Sequence, residues 1–204
     1  MVVAVSGAVL AGGKSTRMGA DKAGLRVGDE TLLGRVVARL AGVVEEVFVV
    51  GRVPTELPSS VRAVSDLRPG AGSLGGIFTA LSFAQGSRCL VVACDMPFLN
   101  RRLLAYLLDL SPGYDVVIPR DDGNVEPLHA VYAKTCLEPI RVVLEEGGHR
   151  IVDFFPRVRV RYVEKQEIAV FDPELRSFFN VNTPAEFRQA LAIEGNPEGG
   201  QDQC

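Results

Sequence analysis

The strongest constraint on this chain lies at its amino end. A short apolar run, Val2 to Leu10, breaks at the glycine pair Gly12-Gly13, and the next dozen residues bring in Lys14, Arg17 and Lys22. That pattern predicts a buried first strand of a parallel sheet. Glycines directly after such a strand let backbone N–H groups approach an anion with no side chain in the way. Strand, glycine turn and cationic loop in that order predict a nucleotide-phosphate site, and hence phosphoryl or nucleotidyl chemistry.

Two better-known glycine motifs are excluded by spacing. A P-loop requires Gly-x-x-x-x-Gly-Lys-Ser/Thr. Gly7 and Gly12 have that separation, but Gly13 intervenes before Lys14-Ser15, so the lysine arrives one place late. Gly70-Ala71-Gly72-Ser73-Leu74-Gly75 is a literal Gly-x-Gly-x-x-Gly. A dinucleotide fingerprint follows its strand at once, whereas this one comes after Asp66-Leu67-Arg68-Pro69.

The chain has 204 residues, enough for one domain with a proper core. No apolar run approaches the roughly twenty residues that span a bilayer, and no signal peptide is evident, so no membrane association and a cytoplasmic location are expected. A net charge of −3 argues against non-specific nucleic-acid binding, leaving anionic ligands to local cations. Cys89, Cys94, Cys136 and Cys204 match no zinc spacing and read as reduced thiols, with Cys94 beside Asp95 able to line a site.

Apolar runs alternate with helical patterns, which predicts a sheet flanked by helices. Strands are expected at Val2–Leu10, Glu45–Val50, Val61–Val64, Cys89–Cys94 and Val116–Pro119, with a strand-like run at Glu126–Ala133. Thr31 and Asn100 are placed to cap helices, and Pro139 to start one. Arg157, Arg159 and Arg161 alternate with apolar residues and read as one face of a solvated edge strand. Residues 195–204 read as a disordered tail.

The second informative run is Leu90-Val91-Val92-Ala93-Cys94-Asp95-Met96-Pro97, in which a strand delivers a lone carboxylate. Ligands of open α/β sheets bind outside the carboxyl ends of the strands, so Asp95 should share a rim with Gly12-Gly13. There it could serve Mg²⁺, or equally cap a turn. Asp66 could meet a ribose or base, but a turn before Pro69 accounts for it slightly better. In Asn180-Val181-Asn182-Thr183-Pro184 the threonine and proline open a helix, which leaves the two amides unexplained. His129 reads as a hydrogen-bonded strand histidine and His149 as a loop residue, so no nucleophilic triad is indicated.

Leu10-Ala11-Gly12-Gly13, Arg17-Met18-Gly19 and Asp21-Lys22 together resemble the signature of the molybdenum cofactor guanylyltransferases, the MobA family. Gly72-Ser73-Leu74-Gly75-Gly76-Ile77, Cys94-Asp95-Met96-Pro97, Pro127-Leu128-His129-Ala130-Val131-Tyr132 and Phe179-Asn180-Val181-Asn182-Thr183-Pro184 extend the resemblance in the family's order. It implies an α/β fold of the Rossmann-like nucleotide-diphospho-sugar transferase type, with a mostly parallel sheet and helices on both faces, in one domain over residues 1–194. It further implies transfer of GMP from MgGTP to the terminal phosphate of the molybdenum-molybdopterin cofactor, with release of pyrophosphate. Carried over by position, Leu10, Ala11, Gly12, Gly13, Lys22, Asp66 and Asp95 would bind the nucleotide. Lys22 would neutralise phosphate charge, Arg17 would grip the outgoing pyrophosphate, and Asp95 would hold Mg²⁺. Asn180 and Asn182 would serve the acceptor side or the metal shell. A molybdenum insertase and molybdoenzyme maturation proteins are the partners the resemblance implies.

Gly13, where cytidylyltransferases carry Leu-Ala-Ala-Gly, favours GTP over CTP. Two departures bear on nucleotide selectivity. Gly51-Arg52 stands where the family often has asparagine, and Gly72-Ser73-Leu74 replaces Gly-Pro-Leu. The alternatives are a cytidylyltransferase, another sugar-type nucleotidyltransferase, or an inactive nucleotide-binding module. The last is disfavoured because mere binding has no need of Lys22, Asp95 and Asn182 together.

Overall fold

The first strand, β1 (Val5–Ala11), is buried on both sides, which is why its sequence is a continuous apolar run and does not alternate. The structure is a computed structural model describing residues 5–12, 24–51 and 57–195. After β1 come a small hairpin, β2 (Arg26–Val27) and β3 (Glu30–Thr31), then α1 (Leu32–Ala41), β4 (Glu46–Gly51) and β5 (Arg62–Val64). Next are α2 (Gly72–Phe83), β6 (Arg88–Ala93), α3 (Arg101–Asp109), β7 (Val116–Asp121), β8 (Asn124–Val125) and β9 (His129–Ala133). The chain continues through α4 (Leu137–Glu145), β10 (Val160–Glu164), α5 (Lys165–Ile168) and α6 (Pro184–Glu194).

The main sheet has the order β10-β7-β9-β6-β1-β4-β5, with β8 paired to β7. Pairings are parallel except where β9 runs against β6 and β7, and β8 against β7. The expected mostly parallel sheet between helices is therefore the observed fold. From β1 the chain moves outward through β4 and β5, then returns across β1 to β6 on its other side. That reversal makes a topological switch point between β1 and β6, and sheets of this kind bind ligands in the crevice outside the carboxyl ends of such strands.

Side-chain alternation divides the interior into two layers. Ala8, Leu10, Phe48, Val91 and Tyr132 pack with Leu74, Ile77 and Leu81 of α2 and Ile140 of α4. Val9, Val49, Val92 and Val131 pack with Leu33, Val36 and Leu40 of α1 and Leu103, Leu104 and Leu107 of α3. Each of these apolar side chains contributes on the order of 1.5–3 kcal/mol by burial, and loses it if turned outward.

The helix signals read from sequence are realised. Thr31 Oγ1 accepts the Gly34 N–H, and Asn100 Oδ1 accepts those of Arg102 and Leu103. Pro139 is the third residue of α4, where no intrahelical partner for an N–H is required. The arginine reading needs correction. β10 is the edge strand, but it begins at Val160, so of the three arginines only Arg161 lies in it. Arg157 closes a 3-10 segment, Ile151–Arg157, while the Arg159 N–H is taken by the Asp115 carboxylate at 2.8 Å. Their charges are met by Glu146, Asp115 and Glu167. Cys89 and Cys136 are buried and Cys94 half-buried, all as free thiols, and burial pushes Cys136 up to about 12. Residues 196–204, including Cys204, lie outside the described residues.

Candidate active site

The two sequence motifs meet at one rim. Leu10 lies beside Ala93 in the parallel register, and the Cys94 N–H donates to the Leu10 carbonyl at 3.2 Å. Gly12 and Asp95 each lie two residues beyond that pair, just past the ends of β1 and β6. Leu10 itself is 8 % exposed and packs under α2, where a Cβ on Gly76 would come within 2.9 Å of its Cδ1. Leu10 therefore seats the strand end, and Ala11 and Gly12 carry main chain to the rim. Gly12 is exposed, and a Cβ built on it meets no atom of the described residues within 4 Å. Packing against the described residues therefore does not require a glycine there.

Gly51 is required for a different reason. Its φ is +108°, and a Cβ would lie 2.8 Å from the Ala11 carbonyl oxygen. The end of β4 thus closes onto the end of β1, which an asparagine could not do without moving one of them. Arg52 lies outside the described residues, as do Gly13, Lys14, Arg17 and Lys22.

Asp66 stands two residues past β5, on the same carboxyl rim. Its Oδ1 accepts the Arg68 N–H at 2.9 Å and faces the Thr79 hydroxyl at 2.8 Å. Thr79 Oγ1 in turn accepts the Leu67 N–H at 3.0 Å. The turn reading of Asp66 is therefore realised, and the turn fixes the entry to α2. Oδ2 makes no hydrogen bond among the described residues, so the same carboxylate still offers an acceptor at the β5 end of the crevice.

On the β6 side, Asp95 is half-buried, and its carbonyl accepts the Val181 N–H at 2.9 Å. That bond brings Asn180 and Asn182 to the aspartate. Upstream, Asp172 takes the N–H groups of Arg176 and Ser177 at 3.0 and 2.7 Å, and Asn100 donates its N–H to the Ser177 hydroxyl at 3.0 Å. Asn180 Nδ2 donates to the Phe178 carbonyl at 2.9 Å. Thr183 caps α6, and the Glu186 carboxylate reaches back to the Asn182 N–H at 2.7 Å. Asp95, Asn180 and Asn182 are brought together across about 85 residues of sequence.

His129 departs from expectation. It is a buried strand residue paired with Val92, but neither ring nitrogen has a hydrogen-bond partner among the described residues. Its ring lies edge-on to Phe178, with centroids 5.0 Å apart, on the apolar α1/α3 face. The sequence showed a polar residue in a strand; it could not show that Phe178 would cover it. Burial lowers the pKa to about 3. Because the folded pKa is depressed, the unfolded chain binds more protons below about 6.5, and stability falls as pH drops from there toward 3. We expect His129→Leu to flatten this acid limb and to leave neutral-pH stability equal or higher by about 1–3 kcal/mol. Thermal unfolding between pH 7 and 4 is the check, and parallel limbs for the two proteins would contradict it.

A model of the MobA-like NTP transferase domain matches residues 7–160, a span that contains the Gly12–Asp95 rim. The chain is a nucleotidyltransferase. It is 43% identical over 198 residues to the probable molybdenum cofactor guanylyltransferase of Pelotomaculum thermopropionicum, covering 96% of each chain. The crystal structure of molybdopterin-guanine dinucleotide biosynthesis protein A from Archaeoglobus fulgidus superposes with a TM-score of 0.78 at 30% identity, covering 92% of this chain and 97% of that one. The 2-C-methyl-D-erythritol 4-phosphate cytidylyltransferase of Thermus thermophilus, at 22% identity and a TM-score of 0.65 over 96% of this chain and 100% of that one, shares the fold. The chain belongs to the MobA-like NTP transferase family.

Proposed function

We propose that the protein transfers GMP from GTP to the terminal phosphate of the molybdenum-molybdopterin cofactor, acting in the cytoplasm. The observation that supports this reading is that exposed main chain at Gly12 and the half-buried Asp95 lie just past the ends of neighbouring strands β1 and β6, each two residues beyond the paired Leu10 and Ala93. The relatives' names supply the acceptor.

In this reading the Gly12-Gly13 main chain cradles the triphosphate, and Lys22 and Arg17 offset the charge that builds on the leaving pyrophosphate. Asp66 meets the nucleoside from the β5 side. An acceptor phosphate oxygen forms the new bond to the α-phosphorus while the bond to the β-phosphate oxygen breaks. The attacking group is already an oxyanion, so the chain need supply no base, only alignment and charge. Asn180 and Asn182 orient the acceptor from the Asp95 side.

The donor set also fits Mg²⁺. Among the described residues no group of three His, Cys, Asp or Glu gathers, and Asp95 offers a single hard carboxylate at the rim. Mg²⁺ beside substrate phosphates commonly takes one or two carboxylates and waters, and here Asp95 would hold it, with Asn182 able to serve its outer shell. Bound there, the ion would supply Lewis-acid charge neutralisation at the triphosphate.

Calorimetry with Mg²⁺ tests the nucleotide. GTP should bind at least about tenfold more tightly than CTP or ATP, a difference of about 1.4 kcal/mol. A preference for CTP would move the chain to the cytidylyltransferase branch of the fold.

A further inference from the structure

The last helix joins the two sides of the rim. At its start, Val181 is bonded to the Asp95 carbonyl and Asn182 precedes the cap. At its end, the two carboxylate oxygens of Glu194 take both terminal nitrogens of Arg35, each at 2.6 Å. Arg35 belongs to α1 and is 9 % exposed. The same guanidinium donates to the Val27 carbonyl at 3.1 Å and lies 3.8 Å from the Glu30 carboxylate. One cation thus gathers α6, β2 and β3.

A small core of its own lies in the same region. Val27, Leu32, Val181 and Ala190 are buried together, with Leu25, Phe98, Phe179 and Phe187 packed against them. Phe98 follows Asp95-Met96-Pro97 and meets Phe179 with ring centroids 5.9 Å apart. Leu25 is tied to α1 through its carbonyl and the Leu32 N–H at 2.8 Å. The Asp95 side and the hairpin that follows residue 24 therefore share one helix of 11 residues, about 16 Å long.

We propose that α6 is a positioning strap, in which the Arg35–Glu194 clamp holds the β2–β3 hairpin at a fixed distance from Asp95 and Asn182. This rests on the nucleotidyl-transfer reading, and it makes Arg35 and Glu194 positioning residues that act without touching the reacting atoms. In sequence the hairpin lies immediately after the run bearing Lys14, Arg17 and Lys22. The fork geometry matters because a buried guanidinium needs a planar, charged partner, which Glu194 supplies and a neutral amide does not. Hydrogen bonding to Glu194 raises the Arg35 pKa against the opposing pull of burial, and Arg35 lowers that of Glu194.

The test uses the full chain with Glu194→Gln and Glu194→Asp, read by GTP calorimetry, steady-state kinetics and hydrogen exchange over residues 25–32. Glu194→Gln should weaken GTP binding and lower kcat/KM for GTP about tenfold, because sub-ångström misplacement costs that much in aligned reactions. Exchange over 25–32 should accelerate, and Glu194→Asp should recover most of the loss. A folded Glu194→Gln with a lower Tm but wild-type GTP affinity, kinetics and exchange would overturn the strap, leaving the clamp a stability role alone. Should Glu194→Gln not fold, Arg35→Lys decides, because it keeps the charge and loses the fork: a loss of about threefold or more with faster exchange supports the strap, and wild-type behaviour overturns it. Wild-type protein that neither binds nor turns over GTP overturns the functional reading instead.

Discussion

Asp95→Ala is expected to reduce guanylyl transfer to about a thousandth of the wild-type rate while leaving the protein folded. The rate loss corresponds to about 4 kcal/mol, the order expected when a charge-organising carboxylate leaves a phosphoryl-transfer site. The fold should survive because the Val181 N–H is received at 2.9 Å by the Asp95 carbonyl, a backbone group that the substitution keeps. The half-buried carboxylate at a strand end is not part of either main core layer. Asp95→Asn, which keeps the shape and removes the charge, should fall almost as far. Pyrophosphate release and thermal unfolding on the same samples check both halves. Turnover of Asp95→Ala within tenfold of wild type would remove the aspartate from the chemistry.

Gly12→Val separates ligand space from packing space. A Cβ at Gly12 meets nothing among the described residues within 4 Å, so a branched side chain there should change Tm little. In the proposed site that space belongs to the triphosphate, and GTP affinity should fall at least about a hundredfold, or about 2.7 kcal/mol. Gly76→Ala is the contrasting case, because its Cβ would lie 2.9 Å from Leu10 Cδ1 and must displace a buried side chain. That variant should lose stability before it loses nucleotide. Calorimetry of GTP alongside thermal unfolding distinguishes the two; a Gly12→Val protein that is destabilised yet binds GTP normally would contradict the assignment.

The parts of the fold legible in the sequence are those whose cause is local. β1 and β6 announce themselves as apolar runs ended by glycine or aspartate, and Thr31, Asn100 and Thr183 cap helices with side chains only two or three residues from their partners. That was enough to place Gly12 and Asp95 on one rim. What escaped depends on pairings between distant segments. The need for glycine at 51 comes from the Ala11 carbonyl, a contact that exists only once β4 lies beside β1. The reversed direction of β9 between β6 and β7 has no signature in its own residues. Arg35 and Glu194 are 159 positions apart, and each alone looks like an ordinary helix-surface charge. His129 was visible as a strand residue, while its lack of a polar partner follows from Phe178, which arrives from a later 3-10 turn.

The central claim is that nucleotidyl transfer from GTP takes place at the Gly12–Asp95 rim. The most direct measurement follows α-phosphate-labelled GTP with Mg²⁺ and molybdenum-molybdopterin in wild-type and Asp95→Ala protein. The account predicts that label passes to the acceptor with one pyrophosphate released per transfer, and that both signals vanish in Asp95→Ala. Label that stays on GTP in the wild type, or that transfers equally well in Asp95→Ala, would contradict it.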